Sequence, residues 1–171
     1  MKKTKSTKRK IIEWTVQGIL MIALFFGLTA WQSRKLVATD TVAPDFSLTT
    51  IAGQQVQLSN SKGKKVVLYF FAPWCSVCKY SSHNIVDLRN ARSSDDMDIY
   101  AVGLGWETPD EVATFAKKHE LNVPVLIGDN SLAQDYRVDT FPTVYIIDEN
   151  GMVSSRMVGY TTELGLRLRS L

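Results

Sequence analysis

Lys65-Val66-Val67-Leu68-Tyr69-Phe70-Phe71-Ala72-Pro73-Trp74-Cys75-Ser76-Val77-Cys78-Lys79 is the stretch whose reading decides the rest of the chain. After Lys65 its first residues are apolar without alternation, as in a strand covered on both faces. Ala72-Pro73-Trp74 breaks the run, and a helix is predicted from near Cys75 to about Ala91. Two cysteines therefore fall where a buried strand hands over to a helix, and they are the chain's only two. A disulfide scaffold needs several cysteines spread along the sequence. A pair three residues apart closes too small a loop to restrict the unfolded chain much. The pair is therefore read as chemical rather than structural.

The placement gives each cysteine a part. Helix N-terminal N–H groups and the macrodipole stabilise an anion, so Cys75 is expected to have a lowered thiol pKa and to be the attacking thiolate. Cys78, one turn in, is shielded, and its sulfur can reach Cys75 and resolve a mixed disulfide. Lys79 adds positive charge nearby from a solvated side chain. The competing reading of a CxxC is half of a zinc site, which needs two more Cys or His at suitable spacing. Only His83 and His119 remain, each on its own predicted helix.

Outward from this centre, strands and helices alternate. Residues 46–51 and 54–58 alternate apolar and polar around Gly53 and read as a hairpin. Residues 97–104 form a second buried strand. Thr108-Pro109-Asp110-Glu111 reads as a helix start, with Thr at the N-cap, Pro first in the helix and Glu closing a capping box; that helix runs to about His119. Short elements follow at 124–127 (strand) and 131–136 (helix). Residues 143–148 form an apolar strand, and Glu149-Asn150-Gly151 turns tightly into 152–158. Residues 162–171 close as an amphipathic helix. The pattern predicts an α/β fold, a central mixed sheet with helices on both faces.

Thr140-Phe141-Pro142-Thr143 leads into an apolar strand. Proline cannot donate to a ladder, so its place at a strand start needs a reason. A cis Phe141–Pro142 bond would supply one and leave the Phe141 backbone to pair with an extended substrate; an ordinary trans edge proline is the alternative. Trp74 is read as part of the rim of the site, Trp106 and Phe115 as core or cover, and Tyr69 as a core residue whose hydroxyl needs a partner. The methionines are scattered, which argues against a copper box, and Asp95, Asp96 and Asp98 read as a solvated loop.

The N-terminus has a different character. The chain has 171 residues and a formal net charge of +3, but Lys2, Lys3, Lys5, Lys8, Arg9 and Lys10 account for it, leaving 14 basic against 16 acidic residues after position 31. The charge is therefore no sign of nucleic-acid binding, and no basic cluster interleaved with aromatics follows. Residues 11–31 are mostly apolar, bracketed by Trp14 and Trp31 as interfacial aromatics are, and about 20 helical residues match a hydrocarbon core of about 30 Å. The reading is a basic cytoplasmic tail (1–10), an uncleaved transmembrane anchor (11–31), a linker (32–42) and a catalytic domain (43–171). A cleaved signal peptide is the alternative, and Leu28-Thr29-Ala30 is a poor cleavage site for it. The excess of positive charge before the span places the N-terminus inside and the domain outside: a single-pass protein of a bacterial inner membrane with a periplasmic or extracytoplasmic domain.

With those residues in view, the chain resembles the thioredoxin fold: strand–Trp-Cys-x-x-Cys–helix, then Thr-Phe-Pro-Thr-Val-Tyr-Ile-Ile-Asp (140–148) and Gly159. The opening Ala43-Pro44-Asp45-Phe46-Ser47-Leu48, the insertion around 109–127 and the N-terminal anchor look like the TlpA/ResA group of extracytoplasmic thioredoxins. The ending from Gly159 to Arg169 looks like its ScsD-like branch, named for suppression of copper sensitivity. The resemblance implies a thiol–disulfide oxidoreductase with Cys75 as nucleophile, Cys78 as resolving cysteine and redox-active disulfide partner, and Pro142 as a cis-proline. Trp74, Phe141 and Pro142 would bind substrate. No cofactor and no metal are implied. The partners would be protein thiols or disulfides and a membrane redox protein that recycles the pair. Three positions depart from the pattern. Thioredoxin keeps an Asp where Tyr69 stands and a helix-kinking Pro where His83 stands, and ResA-like reductases keep a Glu where Ser81 stands. Three other readings stay open: a thiol-dependent peroxidase of related fold, a non-enzymatic Cu(I)-binding module using Cys75 and Cys78 as soft ligands, and a dedicated haem-protein maturation reductase, which differs by substrate.

Overall fold

The computed structural model describes residues 10, 13–24, 27 and 35–170. The chain divides into two units, Met1–Arg34 and Lys35–Leu171.

In the first unit, residues 13–24 are helical, and Trp14, Ile19, Leu20, Met21, Ile22 and Leu24 all expose their apolar side chains. Among the described residues, no helix is long and apolar enough to cross a membrane. The expected span 11–31 includes positions outside the described residues, as does nearly all of the basic tail 1–10.

In the second unit, two strands, β1 (Ser47–Thr49) and β2 (Gln55–Gln57), pair antiparallel as the predicted hairpin around Gly53. Five others, β3 (Lys65–Phe71), β4 (Met97–Gly103), β5 (Val125–Ile127), β6 (Thr143–Ile147) and β7 (Val153–Val158), form one mixed sheet in the order β5-β4-β3-β6-β7. β3 runs parallel to β4 and antiparallel to β6. The helices are α1 (Ser76–Ala91), α2 (Pro109–Lys118), α3 (Asn130–Asp135) and α4 (Glu163–Arg169).

The unbroken apolar run of β3 has the meaning its pattern predicts. Val67, Tyr69 and Phe71 enter a core with Ile85 and Leu88 of α1, Val112 and Phe115 of α2 and Leu166 of α4. Val66, Leu68 and Phe70 enter a second core on the opposite face with Phe46, Leu58, Leu132 of α3 and Tyr136. Successive strand residues point to opposite faces, so a central strand covered on both sides can spare none of them for water. The folded unit starts before the expected boundary at 43. Leu36 is buried, the Arg156 guanidinium donates to the Leu36 and Val37 carbonyls at 2.7 and 2.6 Å, and Asp40 N–H donates to Val153 O.

One local expectation fails. Thr108 occupies the N-cap of α2 and Pro109 the first turn, but the Thr108 side chain caps nothing. The Glu111 N–H, one of its natural targets, is taken by the Thr108 carbonyl at 3.0 Å. The Glu111 carboxylate accepts instead from the N–H of Glu107, at 3.2 Å. With no N–H on Pro109, the helix start is closed one residue upstream of a capping box.

Candidate active site

Cys75 and Cys78 are joined by a disulfide, with their Cα atoms 5.3 Å apart. Cys75 is the N-cap of α1, with extended backbone, and its sulfur accepts the N–H of Cys78 at 3.1 Å. Sulfur here takes the part that a Ser or Asp oxygen plays at other helix starts. When the bond is opened, that N–H and the helix terminus stabilise negative charge on Cys75. The two sulfurs have unequal surroundings: Cys75 is 6% exposed and Cys78 0%.

Beneath Cys78 lies a pair of hydroxyls. The Tyr69 hydroxyl donates to the Cys78 carbonyl at 3.1 Å and lies 2.9 Å from the Ser81 hydroxyl, which itself reaches the same carbonyl at 3.4 Å. Tyr69 and Ser81 are both buried. Burial pushes the Tyr69 phenol far above its usual range, and the hydrogen bond with Ser81 offsets only part of this. The phenol therefore stays neutral and serves as a hydrogen-bonding group. Two of the three positions that depart from the thioredoxin and ResA patterns have thus become one another's partners. The signal for the pair was present as two separate departures, but their contact depends on α1 packing over the end of β3.

The third departure, His83, is exposed on α1, and its ring meets that of His119 edge-on at 6.3 Å. The sequence placed these histidines on separate helices and gave no sign that they meet. Burial, together with the positive charge of His83, Lys118 and Lys79, holds the His119 imidazole below its ordinary range. Among the described residues no group of three or more His, Cys, Asp or Glu is placed to hold a metal ion.

Two of the expected rim residues meet: Trp74, next to Cys75 in the chain, and Phe141. The Trp74 indole N–H donates to the Gly105 carbonyl at 2.7 Å, and its ring lies edge-on to that of Phe141, with centroids 5.8 Å apart. Gly105 has φ +62, a conformation that favours glycine. The Phe141–Pro142 bond is cis, and the Pro142 carbonyl accepts the N–H of Gly159 at 2.7 Å. Of the two core aromatics, Phe115 stacks on Phe71 at 4.6 Å. Trp106 is half-buried, and its indole N–H donates to Gly128 O at 2.9 Å.

A buried strand, a Trp-Cys-x-x-Cys helix start and a cis-proline opening the neighbouring strand define a thioredoxin-like domain. Residues 39–156 match the AhpC/TSA family, and the chain belongs to that family. It is 34% identical over 155 residues to the thioredoxin-like protein YneN of Bacillus subtilis, covering 85% of this chain and 90% of YneN. It is 28% identical to the thiol-disulfide oxidoreductase ResA of Geobacillus kaustophilus, covering 93% of this chain and 92% of ResA. Among solved structures it is similar to the pneumococcal exposed lipoprotein thioredoxin Etrx1 of Streptococcus pneumoniae, with TM-score 0.65 and 29% identity over 73% of this chain and 96% of that one.

Proposed function

We infer that this chain is a protein-disulfide oxidoreductase that exchanges disulfides with protein substrates through Cys75 and Cys78. The observation that carries this is the redox pair itself: Cys75 at a helix N-cap with an N–H on its sulfur, joined to a sealed Cys78. In the reducing direction the Cys75 thiolate attacks a substrate disulfide. An S–S bond forms to Cys75 and one substrate thiolate leaves. The Cys78 thiolate then attacks the Cys75 sulfur, the second substrate thiolate leaves, and the chain holds the Cys75–Cys78 disulfide. Two electrons have passed to the substrate. The oxidising direction is the same sequence reversed. Trp74, Phe141 and Pro142 dock the substrate chain, a reading supported by the Trp74–Phe141 contact and by the register that sets Thr143 opposite Phe70, at the end of the strand that leads to Cys75.

Thiol exchange assays on Cys75→Ala and Cys78→Ala variants test the scheme. The first is expected to be inactive and the second to accumulate mixed disulfides. Full exchange by Cys75→Ala would sink it. Peroxide consumption with a dithiol reductant, and equilibrium Cu(I) titration, separate this reading from a thiol peroxidase and a Cu(I) carrier.

The same proposal extends to location. Six basic residues followed by an apolar run at 11–31, with apolar side chains exposed around the helix at 13–24, support a single-pass anchor with the domain on the outer side of a bacterial inner membrane. A membrane redox protein there would recycle the pair. The ending from Gly159 to Arg169 supports placement in the ScsD-like branch. Labelling of reduced Cys75 in intact cells by a membrane-impermeant thiol reagent tests the side of the membrane; labelling only after permeabilisation would reverse it.

A further inference from the structure

The residues between the cysteines open onto an uncharged groove. Ser76 and Val77, the residues between the cysteines, line an open groove of about 380 Å³ together with Tyr80 and Tyr160. None of the four side chains carries a charge at neutral pH. Val77 and Tyr80 stand three apart on α1, so they share one face. Tyr80 is 72% exposed and Tyr160 55%.

Tyr160 is held in place from both sides. Before it, Gly159 turns the chain at φ +85 and donates its N–H to Pro142 O at 2.7 Å. After it, the Thr161 carbonyl accepts from the Asn84 side chain of α1 at 3.0 Å. Thr162 then caps α4, its hydroxyl accepting from Gly165 N–H at 3.2 Å. The loop that presents Tyr160 is thus tied to the proline turn and to the active-site helix. Exposed tyrosines on a restrained backbone give large contact area at small entropic cost, as at interface hot spots. Neither ring belongs to the two hydrophobic cores.

We propose that Val77, Tyr80 and Tyr160 form a cleft that receives a large apolar side chain next to the cysteine of an extended polypeptide substrate. The proposal rests on the disulfide-exchange reading and deepens it. Continuity fixes the occupant: the groove begins at the residues between the cysteines, so a substrate sulfur bonded to Cys75 brings its own neighbours over it. The uncharged lining disfavours an anionic neighbour, which would lose hydration against the rings without gaining a partner. The cleft changes docking only; the bonds made and broken remain those of the exchange.

The test uses the full chain and two disulfide-bearing peptides that differ only beside the cysteine, one with Trp and one with Ser. The ratio of kcat/KM for the two is expected to be about tenfold in favour of Trp, the size of one modest anchor. Tyr80→Ser and Tyr160→Ser should each lower the ratio, and the double variant should bring it close to one. Both side chains are more than half exposed, so the fold is expected to survive, and thermal unfolding of the single variants verifies that. A ratio near one in the unaltered chain, or a tenfold ratio kept by a folded double variant, overturns the cleft and leaves the exchange reading standing. No exchange with either peptide overturns both.

Discussion

Cys75 and Cys78 share one bond, yet their surroundings have little in common. Around Cys75 the neighbours in the chain face water: Trp74 before it, 66% exposed, and after it Val77, which lines a groove with Tyr80 and Tyr160. Beneath Cys78 the neighbours are Tyr69 and Ser81, buried and bonded to each other and to the Cys78 carbonyl. The outer end offers contact area and a helix terminus that holds an anion. The inner end offers hydroxyls and no charged group from those two residues. In the proposed exchange, the sulfur that meets a protein lies among exposed rings, and the residue whose sulfur finishes the reaction has its carbonyl held by buried hydroxyls. The two cysteines of one CxxC thus differ through the strand end and the helix turn around them, not through their spacing.

Substitutions at the two ends can break this contrast. The largest effect is expected at the cysteines. Cys75→Ser should remove exchange altogether, whereas Cys78→Ser should still attack and then stall, leaving a covalent complex on non-reducing gels. Equal behaviour of the two would erase the distinction between the ends.

Next comes Tyr69→Phe, which removes one hydroxyl from a sealed site and takes a partner from the Ser81 hydroxyl and the Cys78 carbonyl. Loss of stability of about 1 to 3 kcal/mol is expected, read as a lower midpoint in urea. Resolution of the mixed disulfide should slow more than the first attack, since the Tyr69 hydroxyl holds the Cys78 carbonyl. A neutral result would show the hydroxyl pair to be idle.

Trp74→Ala should cost the fold less, below about 1 kcal/mol, because the side chain is mostly exposed. Its effect should appear as a raised KM for protein substrates through loss of the contact with Phe141 and of the hydrogen bond to Gly105.

The smallest effect lies away from both ends. His119 is held below its ordinary range, so the neutral form is the one the fold favours. Its contribution to stability is present above the ordinary value of 6.5 and is lost as pH falls below it toward the folded-state value. Urea midpoints measured from pH 7.5 to 5 should therefore decline, and His119→Asn should flatten that part of the decline.

Much of this was legible in the residues. The unbroken run from Val66 to Phe71 announced a doubly covered strand, and the break at Pro73 placed Cys75 at a helix start. Proline before Thr143 marked the turn at the start of β6. What the sequence hid depends on elements meeting in space. Tyr69 and Ser81 are 12 residues apart and touch because α1 folds over the end of β3. His83 and His119 meet because the C-terminal end of α2 lies near α1. Tyr160 is placed by a hydrogen bond from Gly159 to Pro142 and by another from Asn84 to Thr161, neither of which a local pattern records. The capping box failed for a local reason, since a backbone bond from Glu111 to Thr108 took the donor the side chain needed.

The most direct test is the equilibrium of the full chain with glutathione or dithiol buffers, with free thiols counted after acid quenching. The Cys75–Cys78 bond is expected to open and close as one two-electron couple between about −270 and −120 mV, the span of thioredoxin-like catalysts. A pair that stays closed below about −300 mV, as structural disulfides do, would contradict a role in exchange.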